Sequence, residues 1–164
     1  MDTKIGEGMA VGGKPAFLHW LSWAFRILLA VTFVWAGVLK FMDPAGFAGS
    51  IATFQLLPEA WVNVVALGLP PFEILTGLLI LSRRWLAVGS FSLGALSVVF
   101  LLALLSGLAR GLPVDCGCFG GNGPSTPSKI WLAVARDVVL LGMAGWVYWQ
   151  SSITDQSPEP MVEA

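Results

Sequence analysis

Charged residues are scarce in this chain of 164 residues: Asp, Glu, Lys and Arg together make up 12%. A soluble domain carries about 25%, so water is excluded as the main solvent of the surface. The net charge is -1, and no basic stripe is present to neutralise phosphates, which excludes a nucleic-acid role. Cysteine is scarcer still, with two in the chain, Cys116 and Cys118. Two thiolates at that spacing supply too few ligands for a closed tetrahedral zinc site, and no metal ligands are assigned. The single histidine, His19, sits with Trp20 where an interfacial belt would begin and reads as an interfacial residue. The first apolar run, from about Phe17 to Phe41, lacks a small-x-small cleavage site and exceeds the roughly 7–15 residues of a signal-peptide core, so it reads as a retained span. Glycine-broken half-helices and an inverted repeat are also missing, which argues against a solute transporter.

What is present is apolar length. Hydrophobic residues make up 56% of the chain and the mean hydropathy is +0.79. Four runs, about 18–41, 60–81, 85–108 and 129–149, each approach the roughly 20 residues that cross a bilayer as helix. Bare backbone groups are not tolerated in lipid, so runs of this length are helices. The expected fold class is all-α: an integral membrane four-helix bundle over residues 18–150. A flexible, glycine-rich tail precedes it (1–17), and an acidic tail follows (151–164). The Arg83-Arg84 turn is short enough to force the second and third spans to be antiparallel neighbours. Lys4, Lys14, Arg83 and Arg84 fall on one side and Lys40, Arg110 and Lys129 on the other. That modest bias favours an N-in, C-in orientation.

Ionisable residues within or at the ends of the runs are the next signal, because charge in hydrocarbon costs several kcal/mol. At 100° per residue, Arg26, Phe33, Gly37 and Lys40 share a face of the first span. Glu73, Thr76 and Gly77 share one on the second, and Ala133, Arg136, Asp137 and Leu140 on the fourth. With these faces turned inward, Glu73 is expected to pair with Arg26 or Arg136, and Asp137 with Arg136 or Lys40. Such pairs either fix helix register or line an intramembrane polar pocket, for a quinone head group or for proton relay. Pro70-Pro71 is expected to break the helical ladder before Glu73 and expose carbonyls there. The third span instead carries Ser90, Gly94 and Ser97 at the small-residue spacing that lets backbones approach. Between the first two spans, Phe47, Ile51 and Phe54 recur at helical spacing and read as a short amphipathic cap in the interface.

The cysteines lie in the connection 109–128, within Asp115-Cys116-Gly117-Cys118-Phe119-Gly120. Asp115, Gly117, Phe119 and Gly120 shape this loop. A Cys-x-Cys ring is tight, and Gly117 tolerates the backbone angles it demands. A strained disulfide is easier to reduce, which suits exchange. As a staple it removes little unfolded-chain entropy because the loop is so small. Asp115 disfavours a thiolate at Cys116, whereas the amides after Cys118 can stabilise one, so Cys118 is the better nucleophile. Thiol–disulfide exchange, soft-metal (copper) binding with Met42 or Met143, and structural or intermolecular bonding all stay open on this reading. Outside the cytoplasm, where the orientation puts the loop, disulfides persist.

Further resemblances then appear. Arg26, Ala36-Gly37-Val38-Leu39-Lys40-Phe41-Met42-Asp43-Pro44 and Leu56-Leu57-Pro58 resemble the opening of the DoxX-like membrane proteins. Leu69-Pro70-Pro71-Phe72-Glu73 with Gly77 resembles that family's second helix. Asp115 to Gly120 followed by Ala135-Arg136-Asp137 is similar to its methylamine-utilisation branch, the MauE proteins. The resemblance covers about residues 20–150. It implies a four-helix, multi-pass inner-membrane protein that works with a periplasmic thioredoxin-like partner in maturing methylamine dehydrogenase. A more distant resemblance is to the vitamin K epoxide reductase bundle, which passes electrons between thiols and a quinone. This chain has Cys-x-Cys and no second pair, so an internal relay is impossible and electrons must pass directly to a quinone or another protein. The reading that follows makes Cys116 and Cys118 the redox pair, with Glu73, Arg136 and Asp137, joined by Arg26 and Lys40, as intramembrane polar or quinone-pocket residues. The partners are the lipid bilayer and an extracytoplasmic thioredoxin-like protein. The alternatives are a non-catalytic membrane assembly factor or complex subunit, and copper handling.

Overall fold

The computed structural model describes residues 16–112 and 127–154. The expectations for both tails and for Cys116, Cys118 and their neighbours Asp115, Gly117, Phe119 and Gly120 lie outside the described residues, as do the side chains of His19 and Lys129. Among the described residues there are five helices and no strand: α1 Ala16–Met42, α2 Pro44–Thr53, α3 Glu59–Leu79, α4 Leu86–Ala109 and α5 Pro127–Thr154. Four of them, all but α2, are long and apolar enough to cross a membrane. The 27 residues of α1 span about 40 Å, more than the roughly 30 Å of hydrocarbon.

The burial pattern is that of a protein solvated by lipid. Val31, Trp35, Leu67, Leu102 and Val139 are among the exposed large apolar side chains, while Glu73, Thr76 and Ser90 are among the most deeply buried residues. Exposed tryptophans gather near the helix ends: Trp61 and Trp131 at one end of the bundle, Trp20, Trp85 and Trp149 at the other. Two such belts mark the two interfaces, where an amphipathic ring is most favourably placed.

The bundle is built from two close antiparallel pairs, α1 on α3 and α4 on α5, with α3 also touching α4 and α1 touching α5. Glycine sets the first pair. A Cβ on Gly37 would come within 2.8 Å of Ile74 Cγ1 and 2.9 Å of the Pro70 carbonyl oxygen, and one on Gly77 would meet Val34 at 3.0 Å. In lipid, packing of this kind replaces the hydrophobic effect as the force between helices. In the second pair, Gly94 faces Leu141 and Ala144, and Phe91 meets Tyr148 with ring centroids 6.2 Å apart. The turn through Arg83 and Arg84 returns the chain so tightly that Gly89 of α4 lies against the backbone of Ile80. The expected adjacency of the second and third spans follows from that contact.

One local expectation needs revision. Pro70 and Pro71 sit inside α3, which runs on without interruption to Leu79. Each proline removes one ladder donor, but helices packed on both sides hold the backbone in register. The helix expected between the first two spans is present as α2, which carries Phe47 and Ile51 and has Phe54 as its C-cap. Asp43 caps it by accepting from the Gly46 amide at 2.9 Å, Pro44 occupies the first turn, and Phe47 is its buried residue. Such a cap is worth about 0.5–2 kcal/mol.

Adding a methyl group at Gly37 should separate α1 from α3. Gly37→Ala is expected to destabilise the detergent-solubilised protein by about 1–3 kcal/mol in an SDS-unfolding titration. Gly68→Ala, where a Cβ meets nothing within 4 Å, should leave the midpoint unchanged or raise it.

Candidate functional site

Lys40 lies near the end of α1 that abuts α2, on the helix face that packs against α3. Its Nζ is 2.5 Å from Glu73 Oε1, and both side chains are 1% exposed. Removing two ions from water costs several kcal/mol each, so their attraction must be supplemented by further contacts. Aromatic rings supply them. The ammonium lies 4.5 Å from the centroid of Phe100 on α4 and 5.2 Å from that of Phe47 on α2. Cation–π contacts in a desolvated site contribute about 2 kcal/mol or more. The buried face of α2 is therefore the cover of the Lys40 charge.

A second charged pair lies on α5. Arg136 donates from Nε at 3.0 Å and from a terminal nitrogen at 2.8 Å to the same oxygen, Asp137 Oδ1. Asp137 is buried and Arg136 is partly exposed. Asp137 Oδ2 is buried and has no hydrogen-bond partner among the described residues, and the same holds for Ser97 Oγ on α4. The contrast with Ser90 is informative. One face of α4 carries both serines, but the Ser90 hydroxyl is satisfied by the Leu86 carbonyl at 2.7 Å.

These groups line one cavity of about 190 Å³. Its walls are Lys40, Glu73, Ser97, Phe100, Arg136 and Asp137, completed by Leu140 and by Val31, Thr32, Phe33, Trp35 and Ala36 of α1. Of these, Val31 and Trp35 are 61% and 59% exposed, so the cavity reaches the lipid-facing side of α1. Charged groups thus converge from α1, α3 and α5 on an apolar, partly aromatic chamber. At the same end of the bundle, Arg110 after α4 donates to the Phe54 carbonyl and ties α4 to the end of α2. The connection that carries the cysteines links this end of α4 to the start of α5.

Of the intramembrane residues singled out in the sequence, Lys40, Glu73, Arg136 and Asp137 are brought together and Arg26 is not. The expected pairing of Glu73 with Arg26 or Arg136 is corrected to Lys40. The α1–α3 register places Gly77 against Ala30 and Val34, leaving Arg26 about 21 Å down the axis from Lys40. Arg26 instead stacks on Trp23, 5.3 Å from its ring centroid. The pairing of Asp137 with Arg136, one of the two expected, is present. Met143, considered for copper, is buried in the apolar cluster with Leu140 and Ala144. Sequence pattern alone does not mark Phe100 or Phe47 as site residues, and the small-residue spacing marks Ser97 only for packing. Phe100 falls one turn beyond Ser97, a spacing that puts both on one face of α4.

The fold and this site define a class: a multi-pass helical membrane protein whose transmembrane helices enclose charged pairs beside a lipid-accessible cavity. The particular family follows from comparison. Residues 18–150 match the family described as Methylamine utilisation protein MauE, and the chain belongs to that family. Over 123 residues it is 37% identical to the Methylamine utilization protein MauE of Paracoccus denitrificans, covering 74% of this chain and 65% of that protein. It is 34% identical over 125 residues to that of Paracoccus versutus, covering 76% and 66%. With the protein of Methylorubrum extorquens it shares 35% identity over 142 residues, 86% of this chain and 73% of the relative. The chain thus spans slightly under two thirds of the length of the two Paracoccus relatives. No solved structure matches.

Breaking the Lys40–Glu73 pair should cost more than removing it. Lys40→Met alone is expected to destabilise by about 3–5 kcal/mol, because Glu73 keeps its buried charge. The double change Lys40→Met with Glu73→Leu should recover most of that loss. A double-mutant cycle from SDS unfolding measures the difference.

Proposed function

We propose that this protein is an inner-membrane component of methylamine utilisation that exchanges a dithiol/disulfide with an extracytoplasmic thioredoxin-like protein during maturation of a partner protein. The observation that carries the reading is the cysteine complement itself. The chain's two cysteines stand one residue apart, separated by Gly117, in the connection between α4 and α5. The family membership supports the setting, since the relatives are named for methylamine utilisation.

The chemistry balances as two exchanges. A partner thiolate attacks the Cys116–Cys118 disulfide, one S–S bond breaks as a mixed S–S bond forms, and a thiolate leaves. The partner's second thiolate then resolves the mixed disulfide, so the partner becomes oxidised and Cys116 and Cys118 become a dithiol; the opposite direction uses the same steps reversed. With no second cysteine pair in the chain, the two electrons of the dithiol leave to a lipid-soluble quinone or to another protein. The orientation places the connection on the extracytoplasmic side, in keeping with the Lys and Arg bias and with the redox compartment.

Single-cysteine variants test this directly. Cys116→Ser retains the better nucleophile, Cys118, and is expected to accumulate a mixed disulfide with the partner on non-reducing gels, more than Cys118→Ser does. Absence of an adduct from both, with the partner's redox state unaffected in the double variant, would show that the cysteines serve assembly and not exchange. Sidedness has its own measurement. A membrane-impermeant maleimide should label the reduced cysteines in intact spheroplasts, and labelling only after lysis would reverse the orientation.

A further inference from the structure

Polar atoms with unmade hydrogen bonds line the site, and Asp137 Oδ2 and Ser97 Oγ are among them. Asp137 Oδ2 and Ser97 Oγ each belong to a residue 3% exposed or less that lines the same cavity, and neither has a hydrogen-bond partner among the described residues. A buried polar group left unsatisfied costs about 1–3 kcal/mol, more when charged, so such atoms point to an occupant that completes them. Water is one candidate and an organic ligand another, and the remaining walls discriminate. Phe33, Trp35, Phe100 and Leu140 make the chamber largely apolar. At about 190 Å³ it exceeds the roughly 150 Å³ of an engineered apolar cavity that binds benzene. The chamber reaches lipid beside Val31 and Trp35, so its ligand enters from the bilayer and not from water.

We infer that the cavity between α1, α3, α4 and α5 is a site for the ring of a lipid-soluble quinol, with Asp137 Oδ2 accepting from a ring hydroxyl and Ser97 Oγ completing the polar contact. The charge arrangement selects the reduced form. Arg136 places two donors on Oδ1 and keeps the Asp137 carboxylate as an acceptor. A quinol hydroxyl can donate to Oδ2, whereas a quinone carbonyl, itself only an acceptor, meets that oxygen unfavourably. The Ser97 hydroxyl serves either form, and the Lys40 ammonium is already engaged by Glu73 and Phe100.

The consequence rests on the proposed thiol–disulfide function. Oxidation of Cys116 and Cys118 breaks two S–H bonds and forms one S–S bond. The two electrons and two protons released convert a quinone to a quinol. A site that holds the quinol more tightly than the quinone makes the bound quinone a stronger oxidant. Each tenfold of preference raises its potential by about 30 mV for a two-electron couple. The cavity would thereby favour disulfide formation in the cysteine pair.

Binding of decylubiquinol and decylubiquinone to the purified full-length protein, by isothermal titration under argon, is the test. The quinol should bind about tenfold more tightly, the scale of one hydrogen bond to a charged group. Asp137→Asn can keep an acceptor toward Arg136 while turning a donor into the cavity, and should abolish or invert the preference. Ser97→Ala should weaken both ligands. The Cys116→Ser/Cys118→Ser protein should bind like wild type, which separates this inference from the exchange reading. Binding without a trapped partner would sink only the exchange, and trapping without binding only the quinol site. Equal affinity for the two redox forms, a preference untouched by Asp137→Asn, or equal competition by decanol would overturn the proposal.

Discussion

The structure depends on two opposite charges sealed away from water. Lys40 and Glu73 sit where neither could persist alone, and the bundle is arranged so that neither has to. Their separation of 2.5 Å requires α1 and α3 to lie close together, and closeness of backbones in lipid requires glycine where they cross, which Gly37 and Gly77 provide. The pair also requires a cover. Phe100 closes one side from α4, and Phe47 closes another from the short helix α2. One electrostatic necessity thus accounts for the close α1–α3 crossing, for a partly buried aromatic on the neighbouring transmembrane helix, and for a capped helix that crosses nothing.

The second charged pair is less closed. Arg136 and Asp137 neutralise one another along α5, yet Arg136 keeps some exposure and one Asp137 oxygen faces the cavity. Asp137 Oδ2 thus presents acceptor capacity to a chamber open toward lipid, whereas the Ser90 hydroxyl is used within its own helix.

Much of this was legible before the fold. Spans of hydropathic length mark themselves, because a lipid-exposed backbone has only the helix as a solution. The Phe47, Ile51 and Phe54 spacing signalled a short helical segment between the first two spans. Lys40, Glu73, Arg136 and Asp137 stood out because charge in hydrocarbon is costly. The identity of Glu73's partner was not legible. Periodicity says which face of a helix a residue occupies and leaves open how far one helix slides along its neighbour. That slide is decided by the contact of Gly37 with Pro70 and Ile74, and it brings Lys40, not Arg26, level with Glu73. Ser97 was legible only as a small residue, since its unmade hydrogen bond exists only relative to the walls around it.

By itself the sequence determined the solvent, the number of spanning helices, and which side chains could not face lipid. These follow from composition and local periodicity, which need no knowledge of neighbours. Only the tertiary structure decided which charges meet, why α2 is there and where the chamber opens. Ion pairing, cation–π contact and cavity shape depend on distances between helices remote in the chain, and helix register sets those distances. Two residues on the correct faces at the wrong height never touch, as Arg26 and Glu73 demonstrate.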